Sequence, residues 1–333
     1  MSEKLNLPIR PRRNRKSRGI RGLVRETILH PSDLIYPLFI HEAPQNDAIA
    51  SMPGCHRWSL EGLVTEVGEA WGAGVRAIVF FPKIEDELKT SLAEECFNPD
   101  GLVPRAIRAV RAAYPDITII TDVALDPYNS DGHDGLVEKT ASGDLKIIND
   151  ETVAVLCRQA LCHADAGADI VSPSDMMDGR IGEIRAALDA AGHEEGSILS
   201  YTAKYASAYY GPFRGALDSA PKAGDKKTYQ MDPANRREAL REAELDITEG
   251  ADMIMVKPAG PYLDVIRTLR DAFDIPIAAY QVSGEYLMIK SAAKDGWIDE
   301  EKVALESLIG IKRAGADMIL TYFAKDVARR LGR

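Results

Sequence analysis

Cysteine is scarce in this chain of 333 residues, which contains only Cys55, Cys96, Cys157 and Cys162. None of the four forms a C-x-x-C pair, so the sequence offers neither a disulfide framework nor a thiolate framework for structural zinc. The low cysteine content fits a reducing compartment, and we expect a cytoplasmic protein. The chain also lacks any apolar run of membrane-spanning length, and its basic N-terminus lacks the apolar core of a secretory signal.

Excess positive charge is confined to the first thirty residues. These hold nine Lys and Arg against Glu3 and Glu26, so this arm carries +7 and the rest of the chain −17, for a net charge of −10. An acidic body argues against nucleic acid as the main partner. The arm itself fits a nucleic-acid tail, a transit peptide or a contact with an acidic neighbouring subunit. We predict an extended basic arm over residues 1–30 and one catalytic domain over residues 31–333.

Glycine-rich nucleotide-binding loops are also missing, because no G-x-G-x-x-G or Walker sequence follows any apolar run. Instead, near-continuous apolar segments alternate with amphipathic segments, which is typical of a parallel sheet covered by helices on both faces. Eight such units favour a single (β/α)8 TIM barrel over a doubly wound sheet. Gly-Ala-Asp recurs before three of the apolar segments, at Gly167, Gly250 and Gly315, and predicts a glycine at the end of each preceding helix. The predicted strands are 34–40, 75–81, 117–125, 169–172, 197–202, 252–257, 275–281 and 317–322.

One of these predicted strands ends in a lysine. The run from Met253 to Val256 is apolar and leads into Lys257, where a desolvated amine would have a lowered pKa. A neutral amine is the form that attacks a carbonyl to give a Schiff base. Lys204 follows another strand, and two neighbouring ammonium groups would ease each other's deprotonation. Either lysine alone could equally extend to water from a strand end, but two at the same end of successive strands indicate a site.

Polar residues also follow the other predicted strands. In a TIM barrel the chemistry lies at the carboxyl ends of the strands. Two lysines, carboxylates, hydroxyls and a phenol together suit carbonyl chemistry. The strand-end residues are Asp122, Ser172, Ser174, Asp175, Lys204, Lys257, Gln281, Ser283 and Tyr322.

At these positions the chain resembles the porphobilinogen synthase (5-aminolevulinate dehydratase) family. The resemblance extends from Arg10 to the last predicted helix and rests on long, specific motifs. It implies a lyase that condenses two molecules of 5-aminolevulinate to porphobilinogen, an early step of tetrapyrrole synthesis, without an organic cofactor. The motifs are VSPSDMMDGR at 171–180, YTAK at 201–204, YGPFR at 210–214, MVKP at 255–258 and YQVSGE at 280–285.

The resemblance also implies a role for each site residue. Lys257 forms the Schiff base with the substrate that supplies the propionate side, and Lys204 engages the second substrate. Ser283 and Tyr322 hold the carboxylate of the first substrate, and the remaining residues serve the second substrate, the pocket walls and the lid. Those remaining residues are Arg214, Lys226 and Gln230 at the second carboxylate, Asp122 and Ser174 in the pocket, and Tyr210 and Phe213 at the start of the lid.

The lid is predicted from composition as well. Residues 211–229 contain few apolar side chains and several Gly and Pro, which is typical of a structureless active-site lid. Because this segment carries both Arg214 and Lys226, its closure would complete the second carboxylate site and exclude water. We refer to residues 211–229 as the lid segment.

The metal ligands depart from the family pattern. Many members bind zinc through three cysteines after the third strand, but those positions hold Ala124, Asp126 and Asp134 here, and Asp131 replaces a common histidine. The missing thiolates argue against zinc, and the carboxylates of Asp126 and Asp134 would prefer Mg²⁺ if they bind a metal at all.

Some relatives have a separate allosteric Mg²⁺ held mostly through water by one glutamate, and its position corresponds to Glu242. The alternative for Glu242 is an ordinary surface helix with ion pairs between successive turns.

Two competing functions remain at this stage. A class I aldolase also uses a strand-end lysine but needs only one, so Lys204 argues against it. A nucleic-acid tether would explain the basic arm but would give the strand-end residues no role. The resemblance implies a homo-oligomer, a hexamer or an octamer, with 5-aminolevulinate as its partner and neither nucleic acid nor a membrane.

Overall fold

The computed structural model describes residues 5–140, 145–217, 219 and 221–332, and at its centre eight parallel strands form a closed barrel. The barrel closes where the first strand pairs with the last, with Leu34 opposite Ile319 and Ile35 opposite Leu320. The predicted TIM barrel is confirmed. The strands are β1 (Leu34–Ile40), β2 (Ala77–Pro82), β3 (Thr118–Val123), β4 (Ile170–Pro173), β5 (Ser197–Lys204), β6 (Met253–Lys257), β7 (Ile277–Gln281) and β8 (Met318–Thr321).

The strands form here because their apolar residues are continuous rather than alternating. Four of the six residues of β2, Ile78 to Phe81, are almost fully buried, and all five residues of β7 are buried. A parallel strand with the barrel interior on one face and a helix on the other needs apolar side chains in both directions. The apolar side chains exclude water from the barrel core, so the polar side chains of these segments lie at the strand ends.

Helices cover the outside of the barrel. At the helix-to-strand turns, Gly167, Gly250 and Gly315 have φ values of 105°, 105° and 128°, a conformation that residues with a side chain rarely adopt. The predicted Gly-Ala-Asp turns are therefore confirmed. The longer helices are Leu60–Ala73, Leu102–Ala113, Asn149–Asp165, Arg180–Ala190, Glu238–Thr248, Leu263–Ala272, Ser283–Lys294, Glu300–Ala314 and Ala324–Leu331.

The lid segment differs from its prediction. It begins with a short helix, Gly211–Leu217, whose last two residues are buried, whereas the sequence predicted no structure there. Packing explains the difference, because the Phe213 N–H donates to Ser283 Oγ at 3.0 Å on the neighbouring helix. Residues 218 and 220 of the lid segment lie outside the described residues.

Two further segments lie outside the barrel wall. A hairpin of Leu136–Lys139 and Leu145–Ile148, which the sequence did not predict, precedes the fourth-strand unit; residues 141–144 are outside the described residues. In the N-terminal arm, a 3-10 turn (Pro11–Arg15) and a short helix (Arg18–Leu23) bury no side chain. Across the described ranges, no helix has both the length and the apolar character needed to cross a membrane.

Candidate active site

The register of β5 and β6 brings the two predicted lysines together. Lys257 pairs directly with Lys204 at the carboxyl ends of these neighbouring strands. The pairing depends on an irregularity between Ile254 and Val256, where β5 contains one extra residue. Such a bulge redirects the side chains that follow it, so both amines enter the same cavity. The predicted adjacency of the lysines is confirmed.

Aromatic rings surround the amine of Lys257. Its Nζ lies 4.8 Å from the ring centroid of Tyr280, 5.1 Å from those of Tyr201 and Tyr210, and 5.2 Å from that of Phe213. Ring faces attract a cation weakly, but they also keep water away from it. Since Lys257 is buried, the loss of hydration is the larger effect.

The pKa of Lys257 is accordingly lowered to about 7, first by burial and then by the neighbouring charge of Lys204. A substantial fraction of this amine is therefore neutral near pH 7, whereas a solvated lysine is almost wholly protonated. A neutral amine is the nucleophile that carbonyl chemistry needs.

Lys204 has a more polar environment. Its ammonium donates to the carbonyl oxygen of Ser174 and lies 3.7 Å from the carboxylate of Asp134. Lys226 of the lid segment lies on the other side of the same carboxylate, 3.1 Å from Asp134 and 3.2 Å from Asp126. Burial alone would lower the pKa of Lys226, but these two carboxylates outweigh it and raise the pKa above its usual value.

The three aspartates respond differently to burial. It raises the pKa of Asp122 to about 7, although Lys204 and Lys257 oppose the shift. Burial also raises the pKa of Asp126, whereas Lys204 and Lys226 outweigh burial at Asp134 and lower its pKa. Asp122 Oδ1 is buried and has no hydrogen-bond partner within the described part of the chain. A carboxyl group that titrates near neutral pH beside two amines is suited to proton transfer.

Most of the predicted substrate residues line one cavity. Gln230 is buried there, and the half-buried Arg214 reaches it from the short helix that opens the lid segment. Cations from the lid segment and amines from the barrel therefore face each other across the space. The cavity is lined by Phe81, Asp122, Asp126, Asp134, Ser174, Lys204, Tyr210, Phe213, Arg214, Leu217, Ser219, Lys226, Gln230 and Lys257.

Ser283 and Tyr322 lie just behind this cavity. Ser283 Oγ accepts the Phe213 N–H, so its hydroxyl is engaged by the lid segment. The Tyr322 and Tyr280 hydroxyls are 2.8 Å apart, and the Tyr280 ring contacts the Lys257 amine. Both predicted residues are thus one contact away from Lys257, Ser283 through Phe213 and Tyr322 through Tyr280.

The predicted metal residues fall into two places. Asp126 and Asp134 hold the ammonium of Lys226, so in this arrangement they act as its counter-ions and do not present a metal site. Glu242 is half-buried in a separate groove that shares Gln230 with the cavity, and burial raises its pKa. Within the described residues, no cluster of three or more His, Cys, Asp or Glu side chains is arranged to hold a metal.

Three aromatic residues at the site were not predicted individually. Tyr201 and Tyr280 flank Lys257, and Phe81 lines the cavity from the end of β2. Both tyrosines belong to motifs that the sequence singled out, YTAK and YQVSGE. An aromatic residue in a core strand resembles ordinary packing, however, so the pattern alone gave no signal of its contact with an amine.

Comparisons with known proteins match one family over almost the whole chain. The sequence model of the family described as delta-aminolevulinic acid dehydratase matches residues 8–330. The chain belongs to the delta-aminolevulinic acid dehydratase family. The predicted family and its enzyme class, a lyase, are confirmed. This membership also accounts for the long motifs found in the sequence, each of which contains a residue of the site.

Individual relatives of the family cover nearly the whole chain. Delta-aminolevulinic acid dehydratase from Physcomitrium patens is 60% identical over 329 residues, 98% of this chain and 75% of that protein. Delta-aminolevulinic acid dehydratase 1 of Arabidopsis thaliana is 60% identical over 326 residues, 97% of this chain and 75% of that protein. A crystal structure of the enzyme from Toxoplasma gondii ME49 with its reaction product porphobilinogen is 56% identical, has a TM-score of 0.96 and spans 98% of this chain and 92% of that chain.

The same relatives overturn one expectation. The enzymes from Physcomitrium patens and Arabidopsis thaliana are chloroplastic, as is the relative from Oryza sativa. The expectation of a cytoplasmic protein is therefore wrong. It rested on scarce cysteine, and cysteine content reflects the redox conditions of a compartment without identifying it.

Proposed function

We propose that this chain condenses two molecules of 5-aminolevulinate to porphobilinogen, with Lys257 and Lys204 as the amines that engage the two substrates. The observation that carries the proposal is their direct pairing in contrasting environments. Aromatic rings surround Lys257 and favour its neutral form, whereas carboxylate and carbonyl oxygens face Lys204. Lys257 is thus prepared as a nucleophile for the first substrate, and the adjacent Lys204 engages the second substrate.

The first substrate binds at Lys257. The neutral Nζ of Lys257 attacks the ketone carbon of this substrate and forms a carbon–nitrogen bond. The carbonyl oxygen then leaves as water to give the imine. Ser283 and Tyr322, which contact Phe213 and Tyr280 beside Lys257, would receive the substrate carboxylate. A hydroxyl and a phenol can each donate a hydrogen bond to that carboxylate.

The second substrate binds between Lys204 and the lid segment. Arg214 and Lys226 supply positive charge for its carboxylate, and Gln230 supplies an amide donor. Asp126 and Asp134 keep Lys226 protonated inside a buried site, because their charges offset the cost of burying the ammonium. Lid closure then removes water from the reacting groups.

Proton transfer falls to Asp122. Joining two 5-aminolevulinate molecules into one pyrrole releases two molecules of water, and each loss needs protons to be moved. With a pKa near 7 and both lysines close by, Asp122 can accept a proton and return it within one turnover. Ser174, which lines the same cavity, accepts a hydrogen bond from the Lys204 amine through its carbonyl oxygen and so holds that amine in place.

Magnesium and assembly form a separate part of the proposal. Glu242 would hold a hydrated Mg²⁺ outside the cavity, since Mg²⁺ keeps most of its water when one carboxylate binds it. The exposed arm, whose Ile9 and Leu23 side chains are 80% and 86% accessible, would cover part of a neighbouring subunit in a homo-oligomer. Apolar residues this exposed in one chain are consistent with burial in an assembly.

The decisive experiment supplies 5-aminolevulinate to the purified protein and measures porphobilinogen. Borohydride added with the substrate should reduce an imine on Lys257, which peptide mass spectrometry locates. Lys257→Ala should fold normally but form no product. Full activity in that variant would refute the assignment of Lys257. If the unchanged protein forms no porphobilinogen, the proposed function itself is refuted.

A further inference from the structure

His133 joins the loop after β3 (residues 124–135, here called the aspartate-rich loop) to the lid segment. Its side chain is 2% exposed, and both ring nitrogens have partners on the lid segment. Nδ1 lies 3.1 Å from the hydroxyl of Tyr229, and Nε2 lies 2.9 Å from the carbonyl oxygen of Ala223. The Tyr229 hydroxyl also accepts the N–H of Asp134 at 3.3 Å. One imidazole thus links two points of the lid segment, on either side of Lys226.

These partners determine where the proton lies on the imidazole. The carbonyl oxygen of Ala223 can only accept, so Nε2 of His133 carries the hydrogen and donates it. Nδ1 pairs with the Tyr229 hydroxyl, whose oxygen also accepts the N–H of Asp134. One orientation of the ring therefore satisfies all three hydrogen bonds. Neither ring nitrogen is left over to bind a metal or to act as a base.

The backbone of the lid segment is shaped for this contact. Gly224 has a φ of +72°, which turns the chain directly after Ala223 at a position that favours glycine. Next to it, the N–H of Lys222 donates to the carbonyl oxygen of Asp131 at 3.0 Å. The aspartate-rich loop therefore fixes the lid segment at residues 222, 223 and 229, and Lys226 lies between these points.

We propose that His133 and Tyr229 form a latch that keeps the lid segment closed and holds Lys226 in place beside Asp126 and Asp134. Both are positioning residues, because they act on the substrate through Lys226. The latch relies on the proposed function only for the identity of the second substrate. Closure itself can be measured without any turnover.

The first test compares the steady-state kinetics of His133→Ala, Tyr229→Phe and the double variant. Each single variant loses hydrogen bonds that hold Lys226 in place, so KM for 5-aminolevulinate should rise roughly tenfold with a smaller change in kcat. Because the two residues share one hydrogen bond, the double variant should be within about twofold of the worse single variant. Lys227→Ala, with a side chain 74% exposed on the same segment, should match the unchanged protein.

The second test measures closure directly by limited proteolysis. Lys222 and Lys226 offer trypsin cleavage points inside the lid segment, and an open segment is cleaved sooner than a closed one. In Tyr229→Phe, cleavage there should accelerate roughly fivefold while the barrel stays resistant. Borohydride trapping of a single substrate on Lys257 should proceed at the unchanged rate, since the latch lies on the other side of the cavity.

The outcomes separate the latch from the proposed function. An unchanged KM together with unchanged tryptic cleavage in both single variants would refute the latch, as would fully additive effects in the double variant. If the unchanged protein makes no porphobilinogen, the proposed function fails, but faster cleavage of Tyr229→Phe would still support the latch. Thermal unfolding of His133→Ala identifies a loss of fold; in that case Tyr229→Phe, which keeps its ring, is the variant that decides between these outcomes.

Discussion

At the scale of the residue, the site depends on two lysines that pair across neighbouring strands in different environments. Aromatic rings desolvate the Lys257 amine and lower its pKa, whereas carbonyl and carboxylate oxygens face the Lys204 amine. The predictions at this scale concern charge and its removal.

The pH dependence of imine formation should report the pKa of Lys257. The amine reacts when neutral, so the rate of borohydride-trapped imine formation should rise with pH through about 7 and level off above it. Lys204→Met removes a like charge, raises the pKa of Lys257 and should move this midpoint to higher pH. Lys294→Met, on the exposed end of its helix, is the control and should leave the midpoint unchanged. A midpoint near that of a free lysine in the unchanged protein would contradict the buried-amine mechanism.

Removal of either lid cation should weaken binding of the second substrate. Arg214→Ala and Lys226→Met each lose a charge-assisted contact with a carboxylate, typically worth ~1.5–3 kcal/mol, or roughly a ten- to hundredfold rise in KM. Lys226→Met also leaves Asp126 and Asp134 without their cation, so its thermal stability should fall, whereas that of Arg214→Ala should not. Steady-state kinetics and thermal unfolding separate the two effects. Lys222→Ala, an exposed lysine of the same segment, is the control, and normal KM values in both variants would refute the lid assignment.

At the scale of the element, loops after the strands carry the functional groups and other loops hold them in place. The aspartate-rich loop after β3 provides the clearest case, since its Asp126 and Asp134 face Lys226 of the lid segment. Lys204 lies 3.7 Å from Asp134 as well, so two ammonium groups offset the charge of the two carboxylates. The consequence for zinc can be tested directly.

Porphobilinogen formation should survive the removal of zinc. Ala124 cannot bind a metal, and the remaining loop positions provide oxygen ligands in place of thiolates. Treatment with a zinc-selective chelator should leave activity within about twofold of the untreated enzyme, measured as pyrrole formation with metal content checked by elemental analysis. Loss of activity that only added Zn²⁺ restores would overturn this account of the loop.

Glu285 ties the loop after β6 to the loop after β7. Its buried carboxylate accepts backbone N–H groups from Val282 at 2.8 Å, Gly260 at 2.7 Å and Ala259 at 3.4 Å. A Cβ atom on Gly260 would lie 2.5 Å from Glu285 Oε1, so a side chain there would displace this carboxylate from its backbone partners. The contact holds the backbone beside Lys257 against the backbone beside Ser283.

Glu285→Gln should therefore lower both the stability of the protein and its turnover rate. An amide offers one acceptor oxygen in place of two, so at least one buried N–H loses its partner, and the free energy of unfolding should fall by ~1–3 kcal/mol in urea titrations. We expect kcat to fall as well, because the loop that directly follows Lys257 loosens. Glu306→Gln, on an exposed face nearby, is the matched control. Unfolding at the same urea concentration as the unchanged protein would exclude this role.

Much of this element-level organisation could be predicted from the sequence. All eight barrel strands were predicted, with ends within two residues of those observed, because buried parallel strands give long apolar runs. The short helix Gly211–Leu217 and the hairpin after the aspartate-rich loop could not be predicted. Their conformations depend on contacts with distant residues such as Ser283, which local patterns do not record.

At the scale of the whole molecule, charge is divided between a basic arm and an acidic body. Apolar residues of the arm such as Ile9 and Leu23 are exposed, and Glu242 lies in a groove outside the active-site cavity. Neither Glu242 nor these arm residues line that cavity. The corresponding prediction therefore measures the oligomer together with the activity.

Magnesium should act through Glu242 and leave the chemical step itself unchanged. Glu242→Ala should lose the rise in activity caused by added Mg²⁺ but keep its basal turnover within about twofold, because the residue is outside the cavity. Sedimentation of Glu242→Ala with and without Mg²⁺ should show that its distribution of oligomers no longer changes when the ion is added. Glu244→Ala, exposed on the same helix, is the control. A variant that still responds fully to Mg²⁺ would place the ion elsewhere.

The sequence by itself determined the barrel, the strand ends at which the chemistry collects, and the candidate lysines, because continuous apolar strands and their polar ends are local patterns. Only the tertiary structure decided how those lysines face each other. One extra residue in β5 between the partners of Ile254 and Val256 shifts the register, so that Lys204 lies opposite Lys257. Without that bulge Ala203 would be opposite Lys257, and Lys204 would point away. A one-residue change of register reverses which face a side chain occupies, and pairing between distant strands sets it.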